Sequence, residues 1–119
     1  MTKTAEQILE FVVKAADDKL SEEIVALDMR GVSLLADYFV VTHGNNERQI
    51  YAITEAIKDA AEENQVEVRN IEGKDGGNWI LIDLGEVIVH LFNQEEREFY
   101  QLERLWTDAP FVDVSNWTE

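Results

Sequence analysis

Asn78-Trp79-Ile80-Leu81-Ile82-Asp83-Leu84-Gly85-Glu86-Val87-Ile88-Val89-His90-Leu91-Phe92-Asn93 reads as strand, tight turn and strand, and the residues from Gln94 to Trp106 read as a helix. Glycine at the first central position of a two-residue loop suits a type II′ turn, whose twist matches the strands it joins. The pair joined by Gly85-Glu86 is therefore an antiparallel hairpin. Asn93 is placed to cap the helix that follows. Glu96 stands three residues on, as in a capping box, and Glu95, Glu96 and Glu98 put negative charge at the positive end of the helix dipole.

The hairpin lacks a polar face. Alternation of side chains puts Ile80, Ile82 and Leu84 on one side of its first strand and Trp79, Leu81 and Asp83 on the other. The second strand divides into Val87, Val89 and Leu91 against Ile88, His90 and Phe92. Both faces then need a cover, from the chain's own helices or from something else.

A length of 119 residues suits one domain that buries roughly two thirds of its unfolded surface. A hydrophobic fraction of 45% and a single proline argue against disorder over most of the chain. The absence of cysteine excludes a disulfide scaffold and thiolate chemistry. Met1-Thr2-Lys3-Thr4 leads straight into an amphipathic helix pattern, and no apolar span approaches the length of a membrane crossing; the sequence reads as cytoplasmic. Aspartate and glutamate number 25 against 10 lysines and arginines, for a net charge of −15. Such an excess repels phosphate backbones and anionic membranes, so little direct nucleic-acid contact and no membrane partner are expected. It suits a basic protein partner, although solubility alone accounts for acidity equally well.

Taken in order, the chain opens with a Thr4 to Gln7 capping box and an apolar stripe of Ile8, Phe11, Val12, Ala15 and Ala16, predicting a helix to about Asp18. Ile24 to Met29 predicts a first strand, ended by Arg30-Gly31. Val32 to Asp37 is apolar without clean periodicity. Tyr38 to Thr42 is a strand by its aromatic and β-branched content, and Asn46 with Gln49 caps a long helix whose buried line is Ile50, Ile53, Ile57 and Ala60. Asn64 is expected to end it in the left-handed conformation. Val66 to Ile71 alternates as a half-exposed third strand, and Lys74 to Gly77 is a turn. The final helix carries Phe99, Leu102 and Trp106 as a packed line, Pro110 ends it, and residues 111–119 form a short acidic tail that either packs along an edge or stays mobile.

Helix, two strands, helix, three strands and helix amount to an α/β two-layer domain over residues 1–110, with a mixed five-stranded sheet and helices mainly on one face. The second face of the hairpin is then partly open. Trp79 and Tyr100 are the aromatics expected at the surface, and a homodimer built by pairing open faces is one further use of them.

Chemistry is hard to find. His43, His90 and a carboxylate could hold a zinc ion, but histidines bonded within a sheet are commoner. Asp83 and Glu86 flank the turn as a candidate catalytic pair, and acidic residues near turns are common too. Gly44-Asn45-Asn46 opens a helix as a phosphate-binding turn would, without the lysine or the spaced glycines of the known nucleotide motifs. No metal, cofactor or catalytic residue is assigned, and a binding protein is favoured over an enzyme.

Trp79 to His90 with Phe92, Phe99-Tyr100-Gln101-Leu102-Glu103-Arg104-Leu105-Trp106, and upstream Asp37-Tyr38-Phe39-Val40-Val41-Thr42 with Gly44 resemble the two motifs of the ribosomal silencing factor (Iojap) family. The resemblance runs to about Pro110. It implies a nucleotidyltransferase-like core that lacks catalytic carboxylates. It implies a repressor of translation that binds a small basic protein of the large ribosomal subunit, the fourteenth in conventional naming, and sterically blocks joining of the small subunit when nutrients are scarce. By motif position the implied contacts are Trp79, Leu81, Asp83, His90, Phe92 and Tyr100. The alternative is a nucleotidyltransferase-like enzyme using Asp83, Glu86 and the Gly44 turn.

Overall fold

A computed structural model describes residues 3–73 and 78–118 of the chain; the turn expected at Lys74 to Gly77 lies outside them. The helix α1 (Ala5–Asp18) is closed at its start by the reciprocal Thr4 and Gln7 bonds of a capping box. Strands β1 (Glu22–Asp28) and β2 (Tyr38–Gly44) follow, then α2 (Glu47–Glu63), β3 (Asn70–Glu72), β4 (Trp79–Asp83), β5 (Val87–Asn93), α3 (Gln94–Tyr100), a 3-10 turn (Leu102–Arg104) and β6 (Phe111–Val112).

The strands form one mixed sheet in the order β3-β4-β5-β2-β1-β6. β2 and β5 run parallel, while β4 pairs antiparallel with both β3 and β5. The chain thus leaves β2, crosses through α2 to the far edge, and returns through two antiparallel strands to fill the gap. Gly85 has a φ of +90°, the sign a tight turn requires at its first central residue. The outermost strands are the shortest, which blunts both edges against pairing with another chain.

Helices α1 and α2 lie together on one face. Leu9, Val12, Val13, Ile53 and Ile57 pack there against Ile80, Ile82, Val87, Val89, Leu91 and Val40, all buried. These are the inward side chains that the period-two reading assigns to one side of the hairpin. Burial of each large aliphatic contributes about 1.5–3 kcal/mol, so this layer holds the fold.

Four details depart from the sequence expectation. The sheet has six strands rather than five, because Phe111 and Val112 pair with Leu27 and Ala26 of β1. Val66 and Val68 pack against the helical layer without joining the ladder, so β3 shrinks to three residues. Asn64 stays right-handed, because its Nδ2 donates to the Ala60 carbonyl (2.8 Å), and Gln65 takes the left-handed position at φ 59° instead. Leu34 and Leu35, in the apolar run before β2, are exposed in a loop rather than buried in a core.

Candidate functional site

The second sheet face is covered differently. α3 is only seven residues long. Asn93 Oδ1 caps it by accepting from the Glu96 amide (2.8 Å), and Gln101, at φ 45°, turns the chain sharply left-handed after Tyr100. The expected helix through Trp106 is therefore broken. The chain beyond Gln101 folds back across β1 and β2, seating Leu102, Trp106 and Ala109 over Leu27, Phe39 and Val41. Phe39 meets Trp106 edge to face at 4.9 Å. The expected buried line holds for Leu102 but not for Phe99, which is 78% exposed.

This fold-back stops short of β4. Trp79, Leu81 and Asp83, with Ile88 of β5, stay half-exposed. Trp79 lies 4.8 Å from the Tyr100 ring, and Tyr100 lies 5.0 Å from Phe99, so three aromatic rings run outward from the sheet in a row. Phe92 is the inner end of that row, 4.9 Å from Trp79 and wholly buried. Phe92, expected as a contact, lies beneath the surface as a floor under Trp79, packed with Leu102 and Val41.

His90 is also buried, at 6% exposure, and cannot present its ring outward as the resemblance implies. The Trp79 Nε1–H donates to its Nδ1 (3.3 Å), and Phe39 packs against it edge to face at 5.0 Å. An indole N–H only donates, so Nδ1 is the acceptor and Nε2 carries the proton. That Nε2 is buried and meets no protein acceptor among the described residues. A buried donor without a partner costs about 1–3 kcal/mol. Burial also lowers the His90 pKa to about 4, so the ring is neutral at pH 7.

Arg97 holds this region together. It is the one buried residue of α3. Its Nε donates to Glu103 Oε1 (3.3 Å), and its Nη1 reaches both the Glu22 carbonyl (3.1 Å) and His43 Nδ1 (3.0 Å). A bulge between Glu22 and Val25 makes this possible by drawing Glu22 out of register. The Glu22 carbonyl accepts from Thr42 Oγ1 as well (2.7 Å). Burial, with the neighbouring guanidinium, holds the His43 pKa below its usual value. Beside this knot opens a cleft of about 440 Å³ whose charged lining is Glu22, Glu23, Glu98 and Glu103 with Arg97 and Arg104.

The weaker chemical candidates fare as follows. Asp83 Oδ1 accepts from the Gly85 amide (2.8 Å), bracing the hairpin turn, while Glu86 is exposed. In the Gly44 turn, the Asn45 amide donates to Gln49 Oε1 (2.7 Å) and the Gln49 amide to Asn46 Oδ1 (2.8 Å), so these amides are already engaged. A Cβ at Gly44 would stand 2.8 Å from Ile50 Cγ1, so the glycine serves close strand-to-helix packing. Among the described residues no group of three or more histidines and carboxylates could hold a metal.

A family model described as "Ribosomal silencing factor during starvation" matches residues 2–119. The chain belongs to the ribosomal silencing factor family. The ribosomal silencing factor of Bacillus subtilis is 51% identical over 107 residues, 90% of this chain and 91% of its own. A crystal structure of a Bacillus halodurans protein superposes with a TM-score of 0.81 at 44% identity, covering 91% of this chain and 98% of that one. More distantly, mouse "Mitochondrial assembly of ribosomal large subunit protein 1" is 29% identical over 88% of this chain and 47% of its own length.

Membership in the ribosomal silencing factor family carries association with the ribosome and a regulatory role in silencing it. No helix among the described residues is long and apolar enough to cross a membrane. Of the six residues predicted for the site, the structure brings Trp79, Leu81, Asp83 and Tyr100 to one surface and sets His90 and Phe92 beneath it. Sequence reasoning missed Arg97. Its signal was present as the single cation inside the acidic run Glu95, Glu96, Arg97, Glu98.

Proposed function

We propose that this chain is a translational repressor that docks on a basic protein of the large ribosomal subunit, the fourteenth in conventional naming, and sterically blocks joining of the small subunit under nutrient limitation. The row Trp79, Tyr100 and Phe99, standing over β4 on the partly uncovered face of a sheet whose other face is packed by α1 and α2, is the observation that carries this reading. Large aromatics at the centre of an interface bury much area at little entropic cost. Leu81 and Ile88 extend the apolar patch, and one Asp83 oxygen remains to meet a basic side chain. The net charge of −15 speeds encounter with a basic partner and disfavours exposed rRNA.

The test is sedimentation of purified protein with separated ribosomal subunits. Co-migration with free large subunits and a loss of subunit joining on adding small subunits are expected. Protein that stays at the top of the gradient, or that binds and leaves joining unchanged, removes the reading. Pairing of two copies through the same surface, as a storage form, would compete with docking and show as a dimer that large subunits dissociate.

A further inference from the structure

Trp79 is held in the docking surface by two kinds of contact. Its rings meet Phe92 at 4.9 Å with a tilt of 32° and Tyr100 at 4.8 Å with a tilt of 49°. Neither tilt is the offset-stacked or edge-to-face arrangement that aromatic pairs prefer, so these two contacts set the rotation of the indole only loosely. The Nε1–H bond to His90 Nδ1 is the directional one. His90 is well placed to impose it. It sits in a strand paired on both sides, opposite Leu81 in β4 and Val41 in β2, with its ring braced by Phe39.

The imidazole is otherwise unfavourable there. Its second nitrogen carries a proton that reaches no protein acceptor among the described residues, and the ring lies against Phe39 and Trp79, with Leu81 and Val41 opposite it on the flanking strands. A leucine would fill the site with no polar group to strand. A polar group placed against the local packing rule is characteristic of functional sites, and besides its packing on Phe39 this ring supplies an acceptor for Trp79. We propose that His90 is the positioning residue of the docking surface, fixing the rotation of the Trp79 indole through Nδ1 without itself touching the partner. The inference rests on the docking reading above.

Three variants read it out. His90→Leu removes the acceptor and the stranded donor together. Its Tm is expected to equal or exceed that of the parent while its affinity for large subunits falls about tenfold, and the Trp79 indole N–H resonance moves upfield on losing its acceptor. His90→Asn, whose Oδ1 lies near the position of Nδ1, recovers most of the affinity and of the resonance shift. Trp79→Phe assigns that resonance. Affinity of His90→Leu within twofold of the parent, or an indole resonance unchanged from the parent, overturns the proposal. A lower Tm with an unmoved indole resonance does the same, since it marks a packing role alone. If the parent protein itself fails to bind large subunits, the docking reading falls and this inference falls with it; parent binding matched by His90→Leu removes the inference only.

Discussion

Arg97 Nη1 stands 3.0 Å from His43 Nδ1, tying the short helix α3 to the end of β2 across 54 positions of sequence. A seven-residue helix is marginal alone. What keeps α3 and its two aromatics in place is this guanidinium, shared among a ring nitrogen, a carbonyl and the Glu103 carboxylate. Replacing one member of a buried charged set leaves the others unpaired.

Arg97→Leu is therefore expected to cost about 2–4 kcal/mol of stability. It should weaken docking by more than the loss of folded protein explains, because Tyr100 and Phe99 lose their anchor. Arg97→Lys recovers only part, since an ammonium cannot reproduce the planar fork. Urea unfolding and subunit co-sedimentation of the two variants, scaled to the folded fraction, give the comparison. Equal unfolding curves for Arg97→Leu and the parent would show that the knot contributes nothing.

What the sequence made legible was local. The hairpin, its glycine turn, and the Thr4, Asn46 and Asn93 caps each depend on residues a few positions apart, and each stands in the structure as the spacing predicts. The break at Gln101 was illegible because a glutamine at φ 45° carries no glycine-like signal, and the helical spacing of Phe99, Leu102 and Trp106 argued for continuation. That single residue decides the site. It sends Leu102 back over Phe92, burying one expected contact, and leaves Phe99 outside. Partnership over long separations, as between Arg97 and His43, is likewise invisible to periodicity.

Trp79 and Tyr100 make different demands. Trp79 is half-buried on the Phe92 floor, whereas Tyr100 is 41% exposed at the end of α3. Trp79→Ala should lower affinity for the large subunit about thirtyfold, near 2 kcal/mol, with a stability loss of about 1–2 kcal/mol. Tyr100→Ala should lower affinity by a similar order and leave Tm within about 2 °C of the parent. Titration of labelled protein with large subunits, alongside thermal melts, separates the two effects. Tyr100→Ala binding at parent affinity would move the docking surface elsewhere.

Both long helices end with a non-glycine residue in the left-handed conformation. After α1, Leu20 at φ 61° lets Ser21 donate to the Ala16 carbonyl (3.1 Å); after α2, Gln65 at φ 59° lets Val66 donate to the Ala61 carbonyl (2.8 Å). This is the bonding of a Schellman cap, where glycine avoids the Cβ clash. Leu20 is 76% exposed and packs little. Leu20→Gly is expected to add about 0.5–1 kcal/mol and raise Tm by about 3 °C, without touching docking. A fall in Tm would mean that the unfolded chain's gain in freedom outweighs the relief of the left-handed clash.

His90 also gives the chain an acid-sensitive core. Its folded pKa is lowered to about 4 by burial, while an unfolded histidine titrates near 6.5. Between those values the unfolded state binds more protons than the folded one, so stability rises with pH there. Read downward, the stability contributed by the neutral ring is intact above pH 6.5 and is lost as pH falls toward 4. His43, whose pKa burial also lowers, acts in the same direction. Protonation of the many carboxylates acts the other way, by relieving repulsion in a chain of net charge −15. Comparison within a mutant pair cancels that background. The stability difference between His90→Leu and the parent, measured by urea unfolding, should shift toward the variant by about 2 kcal/mol between pH 7 and pH 5. A difference that stays constant over that range would mean that His90 titrates alike in the folded and unfolded chain, and that its ring is wetter than its burial implies.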